Sequence, residues 1–329
     1  MAAEMKGPVE AFSLVDGRTF RRLSRLNRGA LFDRFYLEME AAIAFFAAAA
    51  FFCTMNREEP TMKKTVSMFL AILMILTLGS AMAEGTLRVG MECNYAPFNW
   101  TQSEATEFTA PIEGGIGFAD GYDVQIAKKI AEGLGKELVI VKTEWDGLPM
   151  GVDSGMFDAI IAGMSPTAER KTKLDFSDPY YTSELVVVVK KDSKFAAAKT
   201  LADLAGANIT AQLNTFHYTV IDQIPGVVKA TAMESFPAMI VAVSSGFVDA
   251  YIAERPGAEA DVMANPGLTY IAFPQGSGFV TSPDDVAVAV GLKMGSPLTV
   301  EINKILAGLD EETRLQMMLD ATTRQPLAQ

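Results

Sequence analysis

The chain has few of the residues that build disulfide frameworks, zinc sites and histidine-based catalytic centres. Its 329 residues include two cysteines, Cys53 and Cys93, and one histidine, His217. One histidine makes a His-based metal site or a Ser-His-Asp triad a poor expectation. Basic residues are also in deficit, with 28 lysines and arginines against 40 aspartates and glutamates, a net charge of −12. This charge disfavours nucleic acids and anionic membranes as partners. We expect no metal, no cofactor and no catalytic residue.

A three-part export signal lies inside the chain rather than at its start. From Met62 the sequence MKKTVSMFLAILMILTLGSAMA joins a basic start, an apolar run and small residues. This pattern is typical of a secretory signal peptide, here at 62–83, and its A-x-A end predicts cleavage between Ala83 and Glu84. The apolar run is too short for a committed transmembrane helix.

Because a signal peptide begins a protein, we interpret residues 1–61 as no part of the native chain, with true initiation at Met62. In the alternative interpretation, residues 1–61 belong to the protein and the apolar segment 41–55 is a membrane segment that follows an arginine-rich stretch. This segment is short for a membrane span. Cys53 falls in the part that would be discarded. Cys93 is then left alone and cannot form an internal disulfide.

Short apolar runs alternate with helical patterns along 84–329, which indicates an α/β fold. The strand candidates are rich in β-branched residues and nearly continuous in apolar side chains, a pattern that suits parallel sheets covered on both faces. They lie at 87–91, 138–145, 157–164, 185–191, 208–212, 248–254, 269–273 and 286–292. Helical patterns lie at 124–134, 146–155, 215–224, 235–246 and 298–309.

The length of this part, about 245 residues, predicts two lobes rather than one sheet. We place lobe 1 at 84–184 plus 284–329 and lobe 2 at 185–283, joined by two short extended crossings. Ligands of open α/β sheets bind beyond the carboxyl ends of the strands. Polar and aromatic side chains follow five of the predicted strands, so these groups can line a cleft between the lobes.

Four motifs resemble those of the polar amino-acid-binding proteins of ABC importers. They are G-Y-D-V-x-I-A at 121–127, W-D-G-L at 145–148, D-A-I-I-A-G-M-S-P-T-x-E-R at 158–170 and D-F-S-D-P-Y-Y at 175–181. The resemblance covers essentially all of 84–329. It implies a type II periplasmic-binding fold, which is α/β with two lobes, each a sheet flanked by helices, joined by two crossover segments. It also implies a periplasmic, non-enzymatic protein that captures a free amino acid and delivers it to the membrane permease of an ABC importer. We expect a monomer.

Arg170 is the strongest candidate for the ligand's carboxylate, because a planar guanidinium matches a carboxylate bidentately. The alternative from position alone is a structural ion pair with Asp175 or Asp178. The resemblance adds Ser165 to the carboxylate site and assigns the carbonyl of Gly163 to the ligand's ammonium.

Thr215 opens a helix whose free amides and dipole favour an anion. The alternative is that this segment only caps the helix, with Asn214 as an ordinary N-cap. By resemblance Glu254 accepts the α-ammonium from the opposite lobe, although it could instead pair with Arg255. Of the neighbouring residues, we expect His217 to serve in packing and Asp123 to cap the helix that follows it.

The resemblance also assigns residues to the ligand's side chain. Tyr95 and Trp145 form aromatic walls, and Glu92 meets a distal group, which favours a basic ligand. The chain departs from the family pattern at three positions, with Gln125 in place of an acidic residue, Asn214 in place of glycine and Glu254 in place of aspartate. The last two leave the ligand's identity open.

Two rival functions are kept. Dehydratases of cyclic carboxylic acids also resemble this family, and Glu254 could act as a general acid if burial raised its pKa. A ligand-sensing domain is the third candidate, which would need a membrane helix or a signalling domain beyond the binding lobes.

Overall fold

The structure, a computed structural model, describes residues 85–115 and 117–326. The predicted signal peptide, its cleavage site and the segment 1–61 lie outside the described residues and stay predictions. Among the described helices, none combines the length and the apolar character that crossing a membrane requires. The described chain is organised around two five-stranded sheets.

The first sheet is built on the parallel pair β1 (Thr86–Met91) and β6 (Glu137–Lys142). β7 (Ala159–Ile160) lies parallel to β1 on its other side. β16 (Gly291–Lys293) runs antiparallel between β7 and the edge strand β8 (Leu174–Phe176), which gives the order β6-β1-β7-β16-β8. A strand from late in the chain therefore completes the first sheet.

The second sheet has the order β12-β11-β13-β10-β14. Its strands are β10 (Leu185–Lys190), β11 (Asn208–Thr210), β12 (Val228–Lys229), β13 (Ala250–Glu254) and β14 (Leu268–Ile271). β11 is parallel to its neighbours, but β10 is antiparallel to both β13 and β14. The expectation of parallel sheets is therefore wrong, since both sheets are mixed.

The strand β10 shows why the apolar pattern led to the wrong prediction of parallel sheets. Leu185, Val187 and Val189 belong to one buried apolar cluster, whereas Val186 and Val188 belong to another. Because successive side chains of a strand point to opposite faces, a strand covered on both faces needs a continuous apolar run. A continuous apolar run therefore indicates that both faces of the strand are covered. It does not indicate whether the neighbouring strands are parallel or antiparallel to it.

The two crossings form a short ribbon of their own. β9 (Tyr181–Thr182) pairs antiparallel with β15 (Ala287–Val288), which joins the chain leaving the first sheet to the chain returning to it. The predicted two-lobed fold with two crossover segments is confirmed. The residue boundaries of the lobes stay a prediction.

A small four-stranded sheet was not predicted from the sequence. It consists of β2 (Asn94–Tyr95), β3 (Asn99–Gln102), β4 (Ala110–Pro111) and β5 (Phe118–Asp120) in the order β2-β3-β5-β4. Its strands are too short to show an alternation of polar and apolar residues. The sheet contains Tyr95, one of the predicted site residues, in its strand β2.

The helices cover the predicted helical patterns and add others. In chain order they are α1 (Tyr122–Gly133), α2 (Leu148–Ser154), α3 (Phe216–Val220), α4 (Phe236–Ser245), α5 (Arg255–Ala264), α6 (Pro283–Val286), α7 (Leu298–Ala307) and α8 (Glu311–Arg324). Of these, α5, α6 and α8 were not predicted. α8 buries only Met318 and Ala321, so its apolar stripe is too narrow to be recognised from sequence.

Asp123 does not cap α1, contrary to the prediction. The residue at the cap position is Gly121, and Asp123 lies within the first turn, fully buried. Its carboxylate accepts hydrogen bonds from Asn99 Nδ2 at 2.8 Å and from the Tyr180 hydroxyl at 2.7 Å. Burial raises the pKa of Asp123 to about 6, against the opposing effect of these hydrogen bonds. Asp123 thus ties three segments of the first lobe together.

Replacing Asp123 with alanine leaves two buried donors without an acceptor. We expect Asp123→Ala to lower the free energy of unfolding in urea by about 2–4 kcal/mol. The control is Asp153→Ala, which removes an exposed carboxylate from α2 and should change that free energy by about 0.5 kcal/mol or less. Equal losses in the two variants would contradict the role given to Asp123.

Candidate functional site

One cavity brings the predicted site residues together. Its lining includes all eight of them, namely Glu92, Tyr95, Trp145, Gly163, Ser165, Arg170, Thr215 and Glu254. These residues lie in loops and at strand ends, where the sequence analysis expected the cleft-lining segments to be. The cavity volume is about 20 Å³, which is room for about one water molecule.

The guanidinium of Arg170 is oriented by neutral groups. Nη1 donates to the carbonyl of Ser165 at 3.0 Å, and Nη2 donates to the carbonyl of Asn214 at 3.3 Å. Its Cζ lies 5.0 Å from the ring centroid of Trp145, a cation–π contact. Burial lowers the pKa of Arg170 to about 10, so the group stays charged at neutral pH.

The alternative ion pairs of Arg170 do not form. Asp175 accepts a hydrogen bond from the amide of Gly295 at 2.7 Å, and in the described part of the chain no carboxylate lies within ion-pair distance of the guanidinium. Arg170 is therefore a positioned cation that has no direct ion pair with a described carboxylate, although the charge of Glu254 acts on it from further away.

Glu254 is the last residue of β13 and is 4% exposed. Its Oε1 lies 3.0 Å from Nε2 of His217, and its Oε2 accepts a hydrogen bond from the Tyr95 hydroxyl. Burial by itself would raise the pKa of Glu254, but His217 and Tyr95 together hold it below its usual value. The carboxylate is thus ionised at neutral pH.

The ion pair between Glu254 and Arg255 that position alone allowed does not form. Arg255 instead pairs with Glu184. His217 is buried and packs edge-on against Phe236, as expected, and it also contacts the carboxylate of Glu254.

Glu92 follows β1 and is 3% exposed. Its Oε1 accepts a hydrogen bond from Gln212 Nε2 at 3.0 Å, across the cleft. Burial raises the pKa of Glu92 to about 8, and the charges of Glu144 and Asp146 act in the same direction, while the Gln212 bond opposes them. A protonated carboxyl and a carboxylate are therefore both accessible near neutral pH.

Asn214 stands where the family pattern has glycine because its backbone is left-handed. Its φ is +55°, a conformation that asparagine tolerates better than most residues. Its carbonyl also lies 3.4 Å from the indole Nε1 of Trp145, which donates to it. Its side chain donates to Asp146 Oδ1 at 2.9 Å. The loop thus contacts lobe 1 through both its backbone and its side chain.

The cap of α3 is Thr215 rather than Asn214, and its side chain does not accept from the helix. The Thr215 hydroxyl instead donates to the carbonyl of Gln212 at 2.6 Å. The hydroxyl's acceptor capacity and the first amides of α3 remain available at the cavity wall.

Aromatic rings close one side of the cavity. The ring of Tyr95 stacks on Phe236 with centroids 4.3 Å apart and on Phe98 at 4.9 Å. Phe236 begins α4 and lines the cavity, yet no sequence pattern distinguishes it from the other buried aromatic residues. Gln212 was also missed as a site residue, although it lies at the end of the predicted strand 208–212 and lines the cavity.

Gly163 allows the Tyr95 ring to approach the backbone. Its φ is +64°, and a Cβ built on it would lie 2.8 Å from Cε1 of Tyr95. Ser165 is buried two residues later.

Cys93 is a buried free thiol, and residues 85–115 and 117–326 contain no group of three or more side chains able to hold a metal ion.

A cleft between two lobes, with a charged guanidinium on one wall and a buried carboxylate on the other, defines a two-lobed ligand-binding protein. The chain belongs to the bacterial extracellular solute-binding proteins, family 3, whose sequence model matches residues 87–321. The family resemblance inferred from the four motifs is therefore confirmed.

Three comparisons place the chain within this family. It is 26% identical to the arginine-binding extracellular protein ArtP of Bacillus subtilis, over 73% of this chain and 87% of that protein. It is 28% identical to the L-cystine-binding protein TcyJ of Escherichia coli, over 73% of this chain and 84% of that protein. A crystal structure of the amino acid ABC transporter substrate-binding protein AbpA of Streptococcus pneumoniae, bound to L-arginine, matches with a TM-score of 0.63 and 30% identity, covering 73% of this chain and 95% of AbpA.

The contact between Gly163 and Tyr95 can be tested against a second left-handed glycine. Gly163→Ala adds both backbone strain and a collision with Tyr95, and we expect it to lower the free energy of unfolding by about 2–4 kcal/mol. Gly155 also has a positive φ, but a Cβ there meets nothing within 4 Å. Gly155→Ala should therefore cost only about 1–2 kcal/mol in urea unfolding. Indistinguishable losses would show that the collision is unimportant.

Proposed function

We propose that the protein captures a polar amino acid, with arginine and other basic amino acids favoured, and presents it to an ABC importer. The observation that carries the proposal is that one cavity is lined by Arg170 and Glu254, a cation and an anion from opposite lobes. An α-amino acid carries the complementary pair of charges on neighbouring atoms.

The carboxylate of the ligand binds on the Arg170 side. The guanidinium already points at the cavity through its bonds to two carbonyls, and a charge-assisted contact with it contributes about 1.5–3 kcal/mol. Ser165 and Thr215 line the same cavity and add hydroxyl and amide donors.

The ammonium binds to Glu254, and the carbonyl of Gly163 accepts one of its hydrogen bonds. Because the ionised carboxylate is buried, its contact with a cation is screened little by water. Glutamate in place of the aspartate of the family pattern reaches one methylene further from β13.

The side chain of the ligand extends towards Glu92 along the wall of the cavity that Tyr95 and Trp145 line together with Phe236. Both faces of the Tyr95 ring are covered by Phe236 and Phe98, so this wall offers the ligand apolar ring edges and the outer face of Phe236. Glu92, once deprotonated, provides a buried carboxylate for a basic group, which favours arginine, whereas its protonated form could hydrogen-bond a neutral polar group. The arginine- and cystine-binding relatives differ in this part of the ligand, so the test covers both.

A ligand can bind only if the lobes first move apart. Direct hydrogen bonds already join the two walls of the cleft, from Gln212 to Glu92 and from Tyr95 to Glu254, and these walls must separate to admit a ligand. The β9–β15 ribbon joins the lobes through two short strands, and bending there would open the cleft. Contacts from both lobes to one ligand then favour the closed form.

The cellular setting follows from the family and from the predicted signal. The family is described as extracellular, which supports export by the signal peptide at 62–83 with cleavage after Ala83. We propose a periplasmic monomer that meets the importer's membrane permease in its closed form.

The dehydratase alternative is not favoured by the environment of Glu254. A general acid must hold a proton at neutral pH, and His217 and Tyr95 instead keep the pKa of this carboxyl below its usual value, against the raising effect of burial. This argues against Glu254 as the general acid, and we propose a binding protein rather than an enzyme, in keeping with the arginine- and cystine-binding relatives.

Isothermal titration of the refolded protein, freed of any carried-over ligand, tests the function against the standard amino acids and cystine. We expect a dissociation constant of about 1 μM or lower for at least one basic amino acid. Arg170→Ala should weaken that binding at least about tenfold.

Lys171→Ala is the matched control, since it removes an adjacent cation that pairs with Asp284 instead of facing the cavity. No binding across the panel would contradict the proposed function. Equal affinities of wild type and Arg170→Ala would refute the role of Arg170 alone.

The charge of Glu92 predicts a pH dependence that differs between ligands. Because its pKa is raised to about 8, pairing with a basic side chain requires the loss of a proton. The affinity for arginine should therefore rise as the pH increases towards 8. Glu92→Gln should weaken arginine binding about tenfold or more and reduce this rise, while glutamine binding changes by about threefold or less. Parallel losses for both ligands would show that Glu92 does not select the side chain.

A further inference from the structure

The carboxyl end of α8 is anchored to the first lobe. α8 packs against α1, and its last residue, Arg324, donates from Nη2 to Oδ1 of Asp120 at 3.1 Å and from Nε to Oδ2 at 3.4 Å. The guanidinium carbon also lies 3.8 Å from the ring centroid of Phe108, a cation–π contact. Asp120 ends β5 and is buried. The last turn of α8 is therefore held to the first lobe by both charge and ring contacts.

The residue that follows α8 contacts the second lobe instead. Gln325 is 5% exposed, and its Nε2 donates to the carbonyl of Ala260 at 3.4 Å and to Sδ of Met263 at 3.7 Å. Both acceptors belong to α5, which packs against β10, β13 and β14 of the second sheet. Two adjacent residues thus join the lobes, with Arg324 on one side and Gln325 on the other.

This contact lies outside the ligand cavity. Gln325 and Pro326 line a crevice of about 420 Å³ between the lobes, whose other walls include Trp100 of the small sheet and Ile240 of α4. Phe236 lines both this crevice and the ligand cavity, whereas Gln325 lines the crevice and not the cavity. Gln325 can therefore act on a bound amino acid only through the relative position of the lobes.

Opening of the cleft breaks this contact. α5 begins at Arg255, directly after Glu254, so α5 moves together with the carboxylate proposed to hold the ammonium. Arg324 stays with the first lobe. When the lobes part, the amide of Gln325 loses the carbonyl of Ala260 and becomes exposed to water. The contact therefore stabilises the closed form and not the open one.

We propose that Gln325 is an affinity-determining residue, which slows the release of the bound amino acid without touching it. The inference rests on the proposed function and adds a determinant of its affinity outside the cavity. The apparent affinity of a protein that closes over its ligand depends on how well its closed form is populated. Because release requires opening, the effect falls on the dissociation rate more than on the association rate.

Stopped-flow measurement of L-arginine binding to the full chain tests this role. Trp145 lines the cavity and supplies a fluorescence signal for occupancy. We expect Gln325→Ala to release arginine at least about threefold faster than wild type and to raise the dissociation constant by a similar factor, since a buried hydrogen bond of the closed form is lost. The association rate should change by less than about twofold.

Gln316→Ala is the matched control, because it removes the same side chain from α8. The amide of Gln316 is exposed and donates to Asp320 Oδ1 at 2.7 Å, within the helix. This variant should release arginine as wild type does. Urea unfolding of both variants checks that they fold. If Gln325→Ala does not unfold cooperatively, Gln325→Met, which keeps the buried volume but lacks the donor, replaces it with the same expectation.

The outcomes separate this inference from the proposed function. Equal dissociation rates in wild type and Gln325→Ala would overturn the role of Gln325 while leaving the amino-acid site intact. Equal acceleration in Gln325→Ala and Gln316→Ala would overturn it too, as would a lower free energy of unfolding with an unchanged dissociation rate, which indicates a structural contact alone. Absence of arginine binding by wild type would contradict this inference, and absence of binding across the whole amino-acid panel would contradict the proposed function with it.

Discussion

The carboxylate of Glu254 lies at the end of β13 in a position where water cannot stabilise its charge. A buried carboxylate is stable only when neighbouring groups supply donors and positive charge. Tyr95 provides a donor from the small sheet of the first lobe, and His217 provides one from α3 of the second. The two lobes therefore meet at this carboxylate. The placement of the Tyr95 ring in turn depends on Gly163 and on stacking against Phe236.

The opposite end of the cleft is organised by a backbone carbonyl rather than by a charge. The carbonyl of Asn214 accepts from both Trp145 and Arg170, and both bonds depend on the left-handed backbone at that residue. Arg170 is thereby fixed in direction while it forms no direct ion pair with a described carboxylate. A cation held by dipoles can exchange those partners for an anion without breaking an ion pair, which is a more favourable starting point for binding.

Much of the site could be predicted because its residues follow strands. Apolar patterning predicted the strands and placed the segments after them at one cleft, and the family resemblance then selected Glu92, Thr215 and Glu254 within those segments. The partners of each side chain could not be predicted in the same way. Whether Glu254 contacts Arg255 or His217 depends on where α3 and α5 begin relative to β13. Glu254 and Arg255 are adjacent in sequence, but their side chains point in different directions. Phe236 and the small sheet were missed because short elements carry too little periodicity.

The parallel-sheet expectation failed for a physical reason that β10 makes plain. Burial of both faces selects apolar side chains at every position, but the direction of a neighbouring strand is set by the connection, which the composition of the strand does not record. The burial of Asp123 was missed for a related reason. An aspartate near a helix start is usually a cap, and its two buried partners, Asn99 and Tyr180, come from distant segments.

The position of β16 has a consequence for the order in which the chain can become structured. β16 separates β7 from β8 in the first sheet, yet it comes more than 100 residues after β8 in sequence, as the separation of 113 residues between the hydrogen-bonded Ser177 and Val290 illustrates. During synthesis from the amino terminus, β8 has no strand to pair with until β16 has emerged from the ribosome. The whole second sheet is synthesised first. The first lobe is therefore begun first and completed last, and its edge at β7 stays open while the whole second sheet is being made.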